Sequence, residues 1–333
     1  MTTPYIPRLS RWIVFILLGV SLLDLGCRRR GRALEVAYVS APQVNLRDRV
    51  AAVYTKAGLV SNGERVEIID RDRRFAKVRT SGGVEGWMEQ RYLVSQAVFD
   101  KLQQLTKQSQ NDPIQGEATT RNDTNLHVEP GRDSEHLYQI GSGGKVTLLR
   151  RSTAEKPGTV VPAKDVKSGG ESEAKPVVED WWLVRDARGR VGWILARMVD
   201  LDLPLDIAQY AEGQRIVAYF VLDQVRDGDK QVSQYLTALT EPKDGLVFDF
   251  NQVRVFTWNT KRHRYETAYR ERLKGVLPIT VAQENFEKEG TLPTFAFRVR
   301  DDNGTVTDRK YKLNTPIVRR VLAPGEEASK KRR

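Results

Sequence analysis

Residues Trp181 to Trp193 read WWLVRDARGRVGW, and an earlier stretch, Phe75 to Trp87, reads FAKVRTSGGVEGW. Aligned on their closing Gly-Trp pairs, the two match without a gap: Phe75 falls on Trp181, Val78 on Val184, Arg79 on Arg185 and Gly83 on Gly189. Each reads as an alternating strand, a glycine turn and a second strand that opens at Gly-Trp. The chain is therefore built on a repeated β module.

The first copy extends outward from Phe75. Asn62-Gly63 is a turn signal ahead of the alternating strand RVEIID at Arg65–Asp70, and Gly82-Gly83 turns the chain again after Arg79. Short, evenly spaced strands with turns between them predict a small barrel over residues 36–95. In the second copy, Asn125 lies as far before Gly143 as Asn45 lies before Gly63, and KVTLL at Lys145–Leu149 falls on RVEII. Six positions separate Ile69 from Phe75 and 32 separate Leu149 from Trp181, so the second copy carries 26 extra residues in one loop. The second barrel is expected over 119–202. Its insertion, 153–179, is rich in Pro, Gly, Lys and Glu and is expected to be a disordered surface excursion. Between the barrels, Val98, Leu102 and Leu105 make one narrow stripe, so 96–118 reads as a helical or polar linker.

The order NLR, GERVEII, FAKV and GWMEQRYLV resembles the bacterial SH3-type (SH3b) domain, which runs Asn-x-Arg, Gly-x-x-Val-x-Val, Trp-x-x-Val and Gly-Trp-Val; Phe75 stands where Trp is usual. The resemblance implies two SH3-like barrels in tandem and a role at the bacterial cell wall.

Residues 1–27 read as a signal peptide or membrane anchor. Arg8 and Arg11 precede a 12-residue apolar run, Trp12–Leu23, which is short for a membrane span, and Gly26-Cys27 follows. The segment resembles a lipoprotein signal peptide, implying lipid attachment at Cys27, although Asp24 stands where that family has an apolar residue. Arg28, Arg29, Arg30 and Arg32 could then grip anionic headgroups at about 1 kcal/mol each. The expected location is the cell envelope, membrane-anchored and facing the periplasm or exterior.

Strand patterns such as IVAYFVL (Ile216–Leu222) and Gln231–Leu239, with an Asp302-Asn303-Gly304 hairpin turn, predict a C-terminal antiparallel sandwich or barrel at 205–322. Among them are Leu246–Phe250 and Gln252–Trp258. The segment VRVFTWNTKRHRYETAYRERLKG mixes aromatic and basic residues, which a strand packed on both faces explains as well as an anionic-polymer track does. A basic tail fills 323–333. The whole is all-β.

The net charge of +11 is spread along a chain with 43 acidic residues and no nucleic-acid-binding motif, so no specific nucleic-acid partner is expected. One cysteine and three scattered histidines offer no metal cluster, and no cofactor is expected. With Cys27 in the N-terminal segment and no histidine near a plausible nucleophile, the chain is expected not to be an enzyme. Its expected partners are peptidoglycan or its peptide stems, or envelope proteins held by a scaffold of β modules. Candidate ligand-binding residues are the tryptophans. Trp87, Trp181 and Trp193 fit a repeated core, whereas Trp182 has Ala76 as its counterpart and points away from Trp181, as an exposed platform for a sugar or peptide would.

Overall fold

The computed structural model describes residues 32–161 and 175–322. The expected signal or anchor helix with Cys27, residues 162–174 of the insertion and the tail 323–333 lie outside the described residues. Among the described residues no helix is long and apolar enough to cross a membrane. The described residues form two compact units. The first holds Val44–Val60 and Arg65–Arg91 with the residues up to Ala37; the second holds Tyr38–Gln43, Ser61–Glu64 and the chain from Tyr92 onward.

The first barrel strands are β1 (Glu35–Val39), β2 (Gln43–Arg47), β3 (Lys56–Ser61), β4 (Arg65–Asp72), β5 (Phe75–Thr80), β6 (Glu85–Glu89) and β7 (Leu93–Ser95). Their order in the sheet is β3-β2-β6-β5-β4-β1-β7. Alternation buries Val66 and Ile68 of β4, while β5 buries Phe75, Ala76 and Val78. Gly86 lets β6 lie close on β2, since a Cβ there would stand 2.7 Å from the Leu46 Cβ.

The second barrel repeats this plan. Its strands are β8 (Gly116–Thr120), β9 (Thr124–His127), β10 (His136–Ile140), β11 (Lys145–Val161), β12 (Lys175–Asp186), β13 (Val191–Leu195) and β14 (Val199–Leu201). Their order, β10-β9-β13-β12-β11-β8-β14, is the first order advanced by seven. The registers agree as well: Arg47 faces Trp87 in one barrel and His127 faces Trp193 in the other.

One segment differs from its sequence reading, and another is more tightly packed than its reading required. In the insertion expected to be disordered, the described residues 153–161 and 175–179 are strand: β11 and β12 run on past the barrel, pairing Thr153 with Asp180, Ala154 with Glu179, Glu155 with Val178 and Val160 with Pro176. A hairpin already formed extends easily through Thr and Val, whose branched side chains suit a pleated surface, and loop composition does not register that. The segment read as a helical or polar linker contains a helix, α1 (Gln96–Gln108), docked on the second barrel. Val98 and Leu102 are buried, and Leu105 packs with Trp193 against Leu149, Leu183 and Val191. The Thr106 hydroxyl accepts from the Val191 amide at 3.1 Å. Arg185 donates to the Ser109 carbonyl at 2.7 Å, placing a cation at the helix C-terminus, where the dipole favours one.

A short helix, α2 (Leu205–Ala208), leads into β15 (Arg215–Asp227), β16 (Lys230–Thr240), β17 (Phe250–Asn259), β18 (Arg264–Phe286), β19 (Gly290–Arg300), β20 (Val306–Asn314) and β21 (Ile317–Val321). They form one seven-stranded antiparallel meander in sequence order. Leu246–Asp249, expected as a strand, is not one, whereas β18 runs on past its expected end through Pro278, with its register interrupted between Val276 and Thr280. At Gly275 this long strand changes neighbours: Arg264 to Gly275 pairs with β17, and Gly275 to Phe286 pairs with β19. The glycine is required for packing, because a Cβ there would fall 2.0 Å from the Phe250 ring. Strand β17 is packed on both faces, and its buried Arg254 is neutralised by Glu212 at 2.7 Å. In the core, Tyr269 and Tyr311 both donate to Glu271 Oε2 at 2.7 Å. Burial, with the Glu271 carboxylate beside it, pushes the Tyr311 phenol up to about 12.

Candidate functional site

In the first barrel, β2 ends at Arg47, whose guanidinium carbon lies 4.3 Å from the Tyr54 ring centroid and 5.2 Å from that of Phe75. The loop carrying Tyr54 is closed at its base by the Asp48 amide donating to the Thr55 carbonyl at 3.0 Å and the Thr55 amide donating to Asp48 Oδ1 at 2.8 Å. This loop and the strand after it leave apolar side chains in solvent: Val53 is 86% exposed, Leu59 44% and Tyr54 39%. A cation held over two aromatic rings, beside exposed apolar surface, suits a ligand that combines an acidic group with an apolar or ring face.

The second barrel has the same loop, closed by the Val128 amide donating to the Glu135 carbonyl at 2.9 Å. Here His127 replaces Arg47 and meets Trp181, the counterpart of Phe75, edge-on at 5.3 Å, with His136 at 5.1 Å. Burial pushes the His127 pKa down, and its Nδ1 lies 3.0 Å from the Ser134 carbonyl. The extended hairpin adds a clasp. Arg132, on the loop, forks onto both oxygens of Glu179 at 2.6 and 2.7 Å, and Arg197 stands 3.7 Å away. The Arg132 hydrogen bonds hold the Glu179 carboxyl below the usual carboxylate range, against the opposing effect of burial. The insertion thus ties down in the second barrel the loop that presents Tyr54 in the first.

The tryptophans fall in three environments. Trp181 is buried in the barrel. Trp182 does face away from it, but that side is no open platform: Trp182 is 6% exposed and lines a cavity of about 300 Å³ with Arg151, Asp180, Ile216 and Val217. Its cover comes from β15, more than thirty residues onward, so alternation alone found the face and missed the lid. Trp87 and Trp193 are half-buried, and the next residues, Met88 and Ile194, occupy the core instead. Beside Trp182, Arg151 bridges Asp180 at 2.5 Å and Asp249 at 2.8 Å, and Asp180 also takes Arg215 at 3.2 Å and the Gly245 amide at 2.9 Å. These paired charges join the second barrel to the C-terminal sheet. Sequence reasoning missed Arg47, Tyr54, Arg132 and Glu179; the basic residue at the end of the Asn-x-Arg motif was the available signal. Among the described residues no group of three or more His, Cys, Asp or Glu is placed to hold a metal ion.

Residues 42–94 match the bacterial SH3 domain family. No curated protein matches the chain. Among solved structures, it is similar to an NlpC/P60 family protein from Bacillus cereus at 12% identity and a TM-score of 0.23, covering 57% of this chain. This chain spans 65% of that protein's length. It is also similar to NlpC2 of Trichomonas vaginalis at 10% identity and a TM-score of 0.17, covering 82% of this chain and 96% of that one. NlpC1 of the same organism matches at 10% identity and 0.17, covering 82% and 87%. The expectation of a chain that is not an enzyme is corrected here, because the matched structures are NlpC and NlpC/P60 proteins. At these TM-scores the likeness carries no argument for a particular activity.

Proposed function

We propose that the chain is a cell-envelope protein that binds peptidoglycan or its peptide stems through its SH3-type modules. The observation that carries this reading is the match of residues 42–94 to the bacterial SH3 domain, with its strand order repeated in the second barrel. The open face of the first barrel, Arg47 over Tyr54 beside exposed Val53 and Leu59, is the contact surface. A guanidinium and aromatic edges suit a peptide stem, which offers carboxylates and small apolar side chains together. The second barrel, its loop clasped by Arg132 and Glu179, is tied to the C-terminal sheet by the Arg151, Asp180, Arg215 and Asp249 charges. The single cysteine, Cys27, behind a short apolar run, is the proposed lipid attachment that holds the protein at the membrane.

Co-sedimentation of the chain from residue 32 onward with purified cell-wall sacculi tests the binding. The protein should pellet with sacculi and be released by soluble wall peptides. A protein that stays in the supernatant while pulling down an envelope protein would replace wall binding by a scaffold role.

A further inference from the structure

The C-terminal sheet holds a cleft of about 740 Å³, within the range of small-ligand pockets. It opens where the middle of β18 meets the turn between β19 and β20. Apolar wall is supplied by Phe248, Leu273 and Val299, and four cations reach it: Arg272, Lys274, Arg300 and Arg309. Two of these are already neutralised. Lys274 pairs with Asp302 at 2.7 Å, and Arg309 with Glu271 at 2.8 Å. Two further carboxylates line the cleft: Asp301 is occupied by the amides of Asn303 and Thr305 at 3.0 and 2.8 Å, and Glu241 accepts from the Asn251 side-chain amide at 3.5 Å. That leaves Arg272 and Arg300 without a carboxylate partner among the described residues, and the Nε of Arg300 is buried with no hydrogen-bond acceptor. The part-buried, unmatched guanidinium of Arg300 beside an apolar wall is costly unless an anion completes it, the exposed Arg272 adds a second cation at the mouth, and the planar fork of each fits a carboxylate or phosphate.

We propose that this cleft is a binding site for a small acidic ligand, whose carboxylate or phosphate is held by Arg272 and Arg300 and whose apolar part lies against Phe248, Leu273 and Val299. The proposal is independent of wall binding by the barrels, since every residue in it lies in the C-terminal domain, after Thr240.

The test is titration of the full chain, by calorimetry or amide chemical shifts, with tri-alanine, its C-terminal amide and inorganic phosphate. Tri-alanine should bind and the amide should bind about tenfold or more weakly, the scale of one charge-assisted hydrogen bond. Phosphate competing with tri-alanine would support the same paired arginines, and phosphate binding without tri-alanine would assign them to a phosphorylated ligand. Arg272→Gln and Arg300→Gln should each weaken binding about tenfold, while Lys288→Gln, outside the cleft, should not. Melting curves for all three variants separate lost binding from lost folding. Equal binding of acid and amide, binding unchanged in both arginine variants that remain folded, or no binding of any probe would overturn the proposal.

Discussion

Gly192 approaches Leu126 so closely that a Cβ on the glycine would lie 2.7 Å from the leucine Cβ, and Gly86 approaches Leu46 to the same 2.7 Å. The equivalence places the two Gly-Trp pairs at one structural position, where the sixth strand of the module crosses the second. It also gives the motif its physical reason: glycine admits the close crossing, and the tryptophan after it stays half-buried. Gly86→Ala and Gly192→Ala should each cost about 1–3 kcal/mol through overpacking, read as a lower urea midpoint. A neutral or stabilising effect at either position would show that the crossing is looser than described.

Trp182 is buried under the C-terminal sheet, so Trp182→Ala should destabilise by about 3–5 kcal/mol, as truncating a large buried aromatic does. Differential scanning calorimetry measures this directly. A variant that melts with the parent would return Trp182 to the surface.

Arg151 and Asp180 have side chains only 6% and 1% exposed, and each has a second charged partner. Arg151→Met strands Asp180 and Asp249 beside a single remaining arginine, with an expected cost of about 3–5 kcal/mol by chemical denaturation. A cost below about 1 kcal/mol, the scale of an exposed pair, would contradict the burial.

Acid should loosen the second barrel in two stages. His127 has a folded pKa pushed down by burial, so the unfolded chain takes up the proton first; the stability it contributes is present above about 6.5 and is lost as pH falls below that value. Glu179 has its folded pKa lowered by Arg132, so its contribution is present above about 4.5 and is lost as pH falls through the folded value. Urea midpoints against pH should show both losses, and Glu179→Gln should remove only the lower one. An unchanged acid limb in that variant would show that the clasp does not stabilise the barrel.

What could be read from the sequence was whatever depends on local pattern. The Gly-Trp pairs, the Asn62-Gly63 turn and the both-faces packing of Val253 to Thr257 are set by spacing and glycine alone. Gly63 has a φ of 80° and Gly304 one of 85°, as their turn signals require. What was hidden depends on contacts distant in the chain. Trp182 is covered by β15, α1 finds its site on Leu149 and Val191, and Glu179 finds Arg132 47 residues earlier. Strand β18 was masked differently: Pro278 reads as a strand breaker, yet it sits where the register with β19 is interrupted, a place that asks for no ladder amide. Tyr54 went unnoticed because nothing in its loop separates an exposed ring from a buried one.

If Cys27 carries the membrane anchor, Cys27→Ala should shift the full-length protein from the membrane pellet to the soluble envelope fraction. Membrane retention with unchanged processing would remove lipidation from the account.

The affinity of the chain for purified sacculi, measured for the parent and for an Arg47→Ala/Tyr54→Ala variant with matching melting curves, tests the central claim. Loss of one cation and one aromatic contact should weaken binding by about tenfold or more. Undiminished binding by the folded double variant would contradict the assignment of the wall-binding face to the first barrel.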